Sequence, residues 1–379
     1  MRQLVQPKAL DSTDIRALLG AADVVLEYAL GDAQSYLFVI TQQSIRTVQL
    51  PARSTIEAAA RRLHTSVSRR LSSTQANARR DTVVAAEELS SAIMSGSFSL
   101  GSGRRIFIVA EGALQYVPFN VLDTFGGREL VYLPSMSVLA LQREISSRQP
   151  GAARPIAIFA DPVFDALDSR VQGAPAAVRP PERGGLRLPR LPFSRREAQA
   201  VAASFGGKPV KLATDFQASR SAALDPDLAN YRVLHFATHG VIDSEHGTLS
   251  GLMMSRVDER GRPREGFVGL HDIYGMRLGA DLVVLSACET SLGRDVRGEG
   301  MIGLTRGFMY AGARTVLASL WKVDDAATSE LMKGFYAALN IDRLPAAAAL
   351  KKAQDRVRAQ PQWKHPYFWA GFQLHGDWR

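Results

Sequence analysis

The sequence predicts an α/β fold: a three-layer sandwich with a mostly parallel central sheet, preceded by a small α/β segment. Three observations predict it. From Arg105 onward, short apolar runs alternate with segments of helical periodicity, the pattern of strand–helix–strand units. Those runs are apolar throughout rather than every second residue, as strands covered on both faces must be. The first hundred residues instead hold a hairpin signal followed by two amphipathic stretches.

The elements follow in order. Residues 21–28 and Tyr36 to Ile40 are β-branched and aromatic runs separated by Gly31-Asp32, which reads as a hairpin. Ile56 to Leu71 and Thr82 to Met94 repeat their apolar residues at helical spacing. Ser95 to Arg105, with serines and three glycines, reads as a linker, so a small region is expected over 1–100 and a larger domain over 105–379. In the larger domain, buried strands are expected at Ile106 to Ala110, Leu130 to Leu133, Ile156 to Ala160, Val233 to Ala237, Leu282 to Ala287 and Thr315 to Leu320. Helices are expected at Ser194 to Ser204, Met301 to Ala311, Ala326 to Leu339 and Pro345 to Gln360, with Pro345 suited to a first turn. Ser169 to Arg196 carries seven arginines, five prolines and one acidic residue without periodicity, and reads as an exposed, mobile loop.

Composition narrows the function. Of 379 residues 46% are hydrophobic and 22% charged, ordinary values for a globular chain. The single cysteine excludes a disulfide-stapled scaffold and a Cys-rich zinc site. No run approaches the roughly 20 apolar residues that span a bilayer, and Met1 to Asp11 lacks a secretory pattern, so a cytoplasmic location and no membrane are expected. The net charge of +9 is concentrated: Arg53 to Arg80 holds seven arginines against one glutamate, and Ser169 to Arg196 is equally basic. A partner-docking face or a processing loop suits that distribution better than nucleic acid does.

Two strand ends carry the chemistry. Val233 to Ala237 finishes in Thr238-His239-Gly240, and Leu282 to Ala287 finishes in Cys288-Glu289-Thr290. Ligands in open α/β sheets bind at the carboxyl ends of strands, so both His239 and Cys288 fall where a reaction is expected. A thiol nucleophile with a nearby imidazole is what a cysteine peptidase requires. Gly240 lets backbone approach a substrate, and its N–H with that of Cys288 would make an oxyanion hole. A buried, inert cysteine beside a strand-end histidine is the plainer reading of the same residues.

The motifs His235-Phe236-Ala237-Thr238-His239-Gly240 and Leu285-Ser286-Ala287-Cys288-Glu289-Thr290 resemble the two signatures of the CHAT domain, a caspase-like family often found behind tetratricopeptide repeats. The resemblance continues through Tyr132-Leu133-Pro134-Ser135, Gly298-Glu299-Gly300, Ala311-Gly312-Ala313-Arg314, Leu320-Trp321-Lys322-Val323-Asp324-Asp325 and His365-Pro366-Tyr367-Phe368-Trp369-Ala370. It implies a caspase–haemoglobinase sheet, a cytosolic endopeptidase with a His239–Cys288 dyad, and no cofactor. Separases are similar in their Leu-Trp-x-Val motif, and on that likeness Trp321 and Asp325 line the substrate pocket. Asp161, in Phe159-Ala160-Asp161-Pro162, joins them because arginine-specific relatives place an acid near there; otherwise it is a turn residue before proline. The resemblance further implies a protein substrate, for example a pore-forming protein of bacterial defence, and control by a regulatory partner or a missing repeat region.

Three rivals were weighed. Gly298-Glu299-Gly300-Met301-Ile302-Gly303 spells a dinucleotide fingerprint, but its first glycine lies about ten residues beyond the strand it should follow directly. His235 and His239 share a face of one strand, yet at roughly 3.3 Å per residue they stand too far apart for one metal, so no metal site is expected. A catalytically silent interaction module is the alternative from another class, set aside because both dyad members and Gly240 are present. The basic stretch Arg179 to Arg196 is an expected self-processing site if the enzyme prefers basic residues.

Overall fold

The computed structural model describes residues 9–69, 75–94, 100–101, 103–148, 151–172, 188–242, 250–286, 288–291 and 299–377. The chain divides into two compact units, Met1–Pro150 with Asp342–Arg379, and Gly151–Ile341.

The first unit begins with α1 (Ser12–Ala17), capped by Asp11, and continues through β1 (Asp23–Ala29), β2 (Ser35–Ile40) and β3 (Ile45–Leu50). β1 and β2 form the expected antiparallel hairpin, with Val25 opposite Ile40 and Ala29 opposite Tyr36. Glycine is needed at its turn: a Cβ on Gly31 would stand 2.4 Å from the Gln34 carbonyl oxygen. β3, not anticipated from the sequence, adds to β2 as an edge strand whose side chains are largely exposed. The helices α2 (Arg53–Ser68) and α3 (Gln75–Ile93) pack on each other. β4 (Arg105–Val109) then pairs parallel with β1, and β5 (Glu129–Tyr132) with β4. The strand at 105 therefore shares a sheet with the hairpin before the Ser95 to Arg105 linker, so this sheet crosses the expected boundary. α4 (Met136–Arg148) ends this stretch.

The second unit is built on β6 (Arg154–Pro162), α5 (Pro192–Ala203), β7 (Val210–Asp215), α6 (Arg220–Ala223) and β8 (Tyr231–Ala237). After these come β9 (His239–Ile242), β10 (Gly251–Met253), β11 (Phe267–Gly269), α7 (Leu270–Gly275), β12 (Leu282–Leu285) and β13 (Cys288–Ser291). The unit closes with α8 (Glu299–Tyr310), β14 (Thr315–Ser319) and α9 (Asp325–Asn340), whose N-cap Asp324 accepts from the Ala327 N–H at 3.0 Å. Its main sheet is all parallel in the order β14-β12-β8-β6-β7. All four residues of β12 and all five of β14 are buried, as the unbroken apolar runs require. Successive side chains of a strand point to opposite faces, which identifies the layers. His235 of β8 meets Glu197 of α5 and Tyr336 of α9, whereas the adjacent Phe236 meets Phe308 of α8. Helices thus cover both faces, the expected three layers.

The chain then completes the first unit with α10 (Ala346–Arg358), for which Pro345 is the N-cap rather than the first helical residue, and with β15 (Phe372–Gly376). β15 pairs parallel with β5, so this unit's strands run β3-β2-β1-β4-β5-β15. Of the Arg/Pro-rich segment, residues 173–187 lie outside the described residues. Its described end departs from an exposed loop: Leu188 and Ser194 are buried, and α5 begins at Pro192.

Candidate active site

A second, four-stranded sheet carries the two residues of the expected dyad, in the order β11-β10-β9-β13. Strand β8 ends at Ala237, the buried Thr238 turns its hydroxyl onto the Met253 carbonyl, and the chain re-enters a sheet as β9. β12 does the same, ending at Leu285 and resuming as β13 at Cys288. β8 and β12 are parallel neighbours in the main sheet, and β9 and β13 are parallel neighbours in the small one. Where the sequence suggested the tips of two main-sheet strands, His239 and Cys288 instead open two strands of a separate sheet. They stand in register: Cys288 opposite His239, Glu289 opposite Gly240. Adjacent strands lie roughly 4.8 Å apart, so the 49 residues between them in sequence collapse to one strand spacing.

His239 is 1% exposed. Its ring tilts against Phe164, centroids 5.1 Å apart, and its Nε2 donates to the Pro189 carbonyl at 2.7 Å. Burial lowers its pKa below the ordinary histidine value; the Pro189 carbonyl opposes this and the Lys322 ammonium adds to it. The imidazole is therefore held neutral near pH 7, able to take up a proton in a reaction. His235 does not join it. It lies in β8, fully buried, with Nε2 2.8 Å from a Glu197 carboxylate oxygen and Nδ1 3.0 Å from the Tyr336 hydroxyl. This is packing within the sheet, as its strand spacing suggested.

Asp161 lies at the end of β6, where the register with β7 slips between Ala160 and Pro162. Its φ is +48°, a left-handed conformation that a non-glycine residue adopts at a cost. The conformation is held by the Ser194 hydroxyl, which accepts the Asp161 N–H at 3.0 Å, and by Arg170, which donates to its carbonyl at 2.8 Å. The carboxylate is wholly buried and receives Arg190 through two bonds, Nε at 2.9 Å and Nη2 at 2.8 Å, with Arg195 Nε at 2.8 Å. Arg170 and Arg195 also engage Asp215, where burial pushes the carboxyl pKa up but these hydrogen bonds outweigh it and hold it low.

The other two expected pocket residues differ from each other. Asp325 opens α9 and accepts the Phe193 N–H of α5 at 3.3 Å. Burial, helped by the carboxylates of Glu197, Asp324 and Asp161, pushes its pKa up to about 6 against the opposing Phe193 N–H. Trp321 follows β14 and is 3% exposed, so it offers a ligand almost no surface. Sequence reasoning missed Phe164 and Lys322 and gave Pro189 and Arg190 only as part of an expected processing loop. None stands in a dyad motif, though Lys322 lies inside Leu-Trp-Lys-Val and Arg190 inside the basic stretch.

A family model described as the CHAT domain matches residues 55–377. The chain belongs to the CHAT domain family. The match begins in α2, well before the strand at 105. Tetratricopeptide repeat protein 28 from mouse is 26% identical over 326 residues and its human counterpart 27% over 328. Each comparison covers 75% of this chain but 12% of the relative, so the CHAT chain spans about an eighth of those proteins. Among solved structures, the Saccharomyces cerevisiae separase–securin complex superposes with a TM-score of 0.59 at 10% identity, covering 96% of this chain and 30% of that one. At such identity the likeness is one of fold alone: this CHAT domain shares its α/β architecture with the matched 30% of that chain.

Proposed function

We propose that this CHAT domain is a caspase-like cysteine endopeptidase acting through His239 and Cys288. The observation that carries the reading is the parallel register of β9 and β13, which sets a neutral, buried imidazole residue beside the chain's one cysteine. The Cys288 thiol gives its proton to His239 as its sulfur attacks the scissile carbonyl carbon of a peptide, and the resulting oxyanion is received by the N–H groups of Gly240 and Cys288. The C–N bond breaks as His239 hands a proton to the departing amine, leaving a thioester on Cys288. Water, losing its proton to His239, then cleaves the thioester and frees the acid product. Asp161 and Asp325 supply the charge of the substrate pocket, and Trp321 packs beneath it.

The substrate class is a protein. Control comes from a repeat region, or from a separate chain that supplies one, a reading that the relatives named for tetratricopeptide repeats support. The test is a proteome-wide cleavage profile of the wild-type chain against Cys288→Ala and His239→Ala. Each variant is expected to remain folded, with Cys288→Ala near the wild-type melting temperature and His239→Ala below it, and to lower kcat/KM by about a thousandfold or more. Cleavage undiminished in a folded Cys288→Ala protein assigns the domain to protein interaction instead.

A further inference from the structure

If the site is a peptidase cleft, as proposed, the structure also shows what lies in it. Three successive residues of this chain, Leu188-Pro189-Arg190, are fastened there by three different interactions. Leu188 is buried in an apolar cluster with Phe164, Val241 and Met253. The Pro189 carbonyl takes the hydrogen bond from His239 Nε2. Arg190 lays its guanidinium fork on both oxygens of the Asp161 carboxylate.

The arginines around Asp161 are not equivalent. Arg170 is anchored four ways, to Asp168, to Asp215 and to both the carbonyl and the carboxylate of Asp161, with 15% of its side chain exposed. Arg195 stands on α5 and divides itself between Asp161 and Asp215. Both belong to the wall. Among the described residues Arg190 pairs with no acidic side chain but Asp161, and it is 40% exposed and held on no helix, so it is the member of the cluster that can be exchanged from solvent. What it leaves behind is a carboxylate with two oxygens aligned for a planar, two-pronged donor. A guanidinium matches that geometry; an ammonium, a point charge with no fork, does not.

With Asp161 taken as the pocket acid expected above, we propose that Pro189-Arg190 is an internal substrate mimic that blocks the cleft until it is displaced. The bonds hydrolysed are then peptide bonds that follow arginine, and the enzyme is silent in its resting form because its own Arg190 holds Asp161 while Pro189 holds His239.

The full chain tests this with the aminocoumarin amides of Leu-Pro-Arg, Leu-Pro-Lys and Leu-Pro-Asp. Arg190→Ala is expected to raise kcat/KM on the arginine peptide at least tenfold above wild type and to leave the lysine peptide at least tenfold slower. Asp161→Asn in the Arg190→Ala background is expected to erase that preference. Equal rates for wild type and Arg190→Ala overturn the self-blocking role, and equal rates on arginine and lysine overturn the selection by Asp161. A second measurement needs no turnover: calorimetric titration of Cys288→Ala protein with acetyl-Leu-Pro-Arg. Binding is expected to tighten at least tenfold on adding Arg190→Ala. Tightened binding without Cys288-dependent cleavage overturns the peptidase reading while supporting the arginine pocket; unchanged binding overturns the inference itself. Arg190→Ala leaves Asp161 and its two wall arginines in place, so the titration remains decisive if Asp161→Asn fails to fold.

Discussion

Asp325 sits at the first position of α9 with its carboxyl raised to about 6 by burial and by neighbouring carboxylates. The sign of its effect on stability follows. The folded chain holds this proton more tightly than the unfolded one, so stability falls as pH rises from the ordinary aspartate range toward 6 and the full penalty persists above it. Asp325→Asn is therefore expected to stabilise the protein at pH 8 by on the order of 1 kcal/mol, discounted for partial solvent exposure, and to change little at pH 4. Thermal melts at the two pH values check this. His239 has the opposite chemistry: its lowered pKa keeps it neutral when folded, while the unfolded chain takes up a proton as pH falls through about 6.5. Stability is thus lost on acidification below that value, and His239→Gln is expected to flatten the loss in urea titrations. That His239 and Cys288 matter was legible in the sequence, because each ends an apolar run with a motif. The role of Arg190 was not. It is one of seven arginines in a stretch without pattern, and only its pairing with the buried Asp161 distinguishes it.

At the scale of elements, the strong strands and long helices were readable because burial on both faces and helical spacing leave unambiguous patterns. Most observed ends fall within a few residues of those expected, as β12 stops at Leu285 and α5 starts at Pro192, but α3 begins at Gln75 rather than Thr82, and α4 and β7 were not anticipated. The small sheet escaped notice. Its strands have three or four residues, too few for a period to show, and two of them follow main-sheet strands with a gap of only one or two residues. Its geometry depends on glycine at Gly251, where a Cβ would meet the Val268 carbonyl at 2.4 Å and the Phe267 ring at 2.6 Å. Gly251→Ala is expected to cost about 1–3 kcal/mol and to lower activity with it, since β10 backs β9 directly. Denaturant unfolding beside a kinetic assay separates this from a silent change. On the opposite side of β8, Tyr336→Phe removes the hydroxyl partner of the buried His235 Nδ1. That substitution is expected to destabilise by about 1–3 kcal/mol while leaving kcat nearly intact.

At the scale of the whole molecule, the first unit is discontinuous in sequence: α10 and β15 come from its last stretch, and β15 supplies a parallel neighbour for β5. Ending the chain at 341 is expected to strip that strand and the buried Leu350, Phe372 and Leu374 from the unit, and its amides lose their slow hydrogen exchange. The linker at Ser95 to Arg105 looked like a domain boundary because composition registers only local breaks, whereas strand pairing joins segments regardless of their separation. The charge of +9 told a similar story. It located two basic stretches without revealing that Arg170, Arg190 and Arg195 are spent on Asp161, Asp168 and Asp215. By itself the sequence determined the fold class and the family, and singled out His239 and Cys288 as candidates, because apolar runs and short motifs are properties of neighbouring positions. Only the tertiary structure decided that His239 and Cys288 stand in register in a second sheet, and that Pro189 and Arg190 lie against His239 and Asp161. Those relations join residues 49, 50 and 29 apart, and what brings them together is hydrogen bonding and burial across the fold.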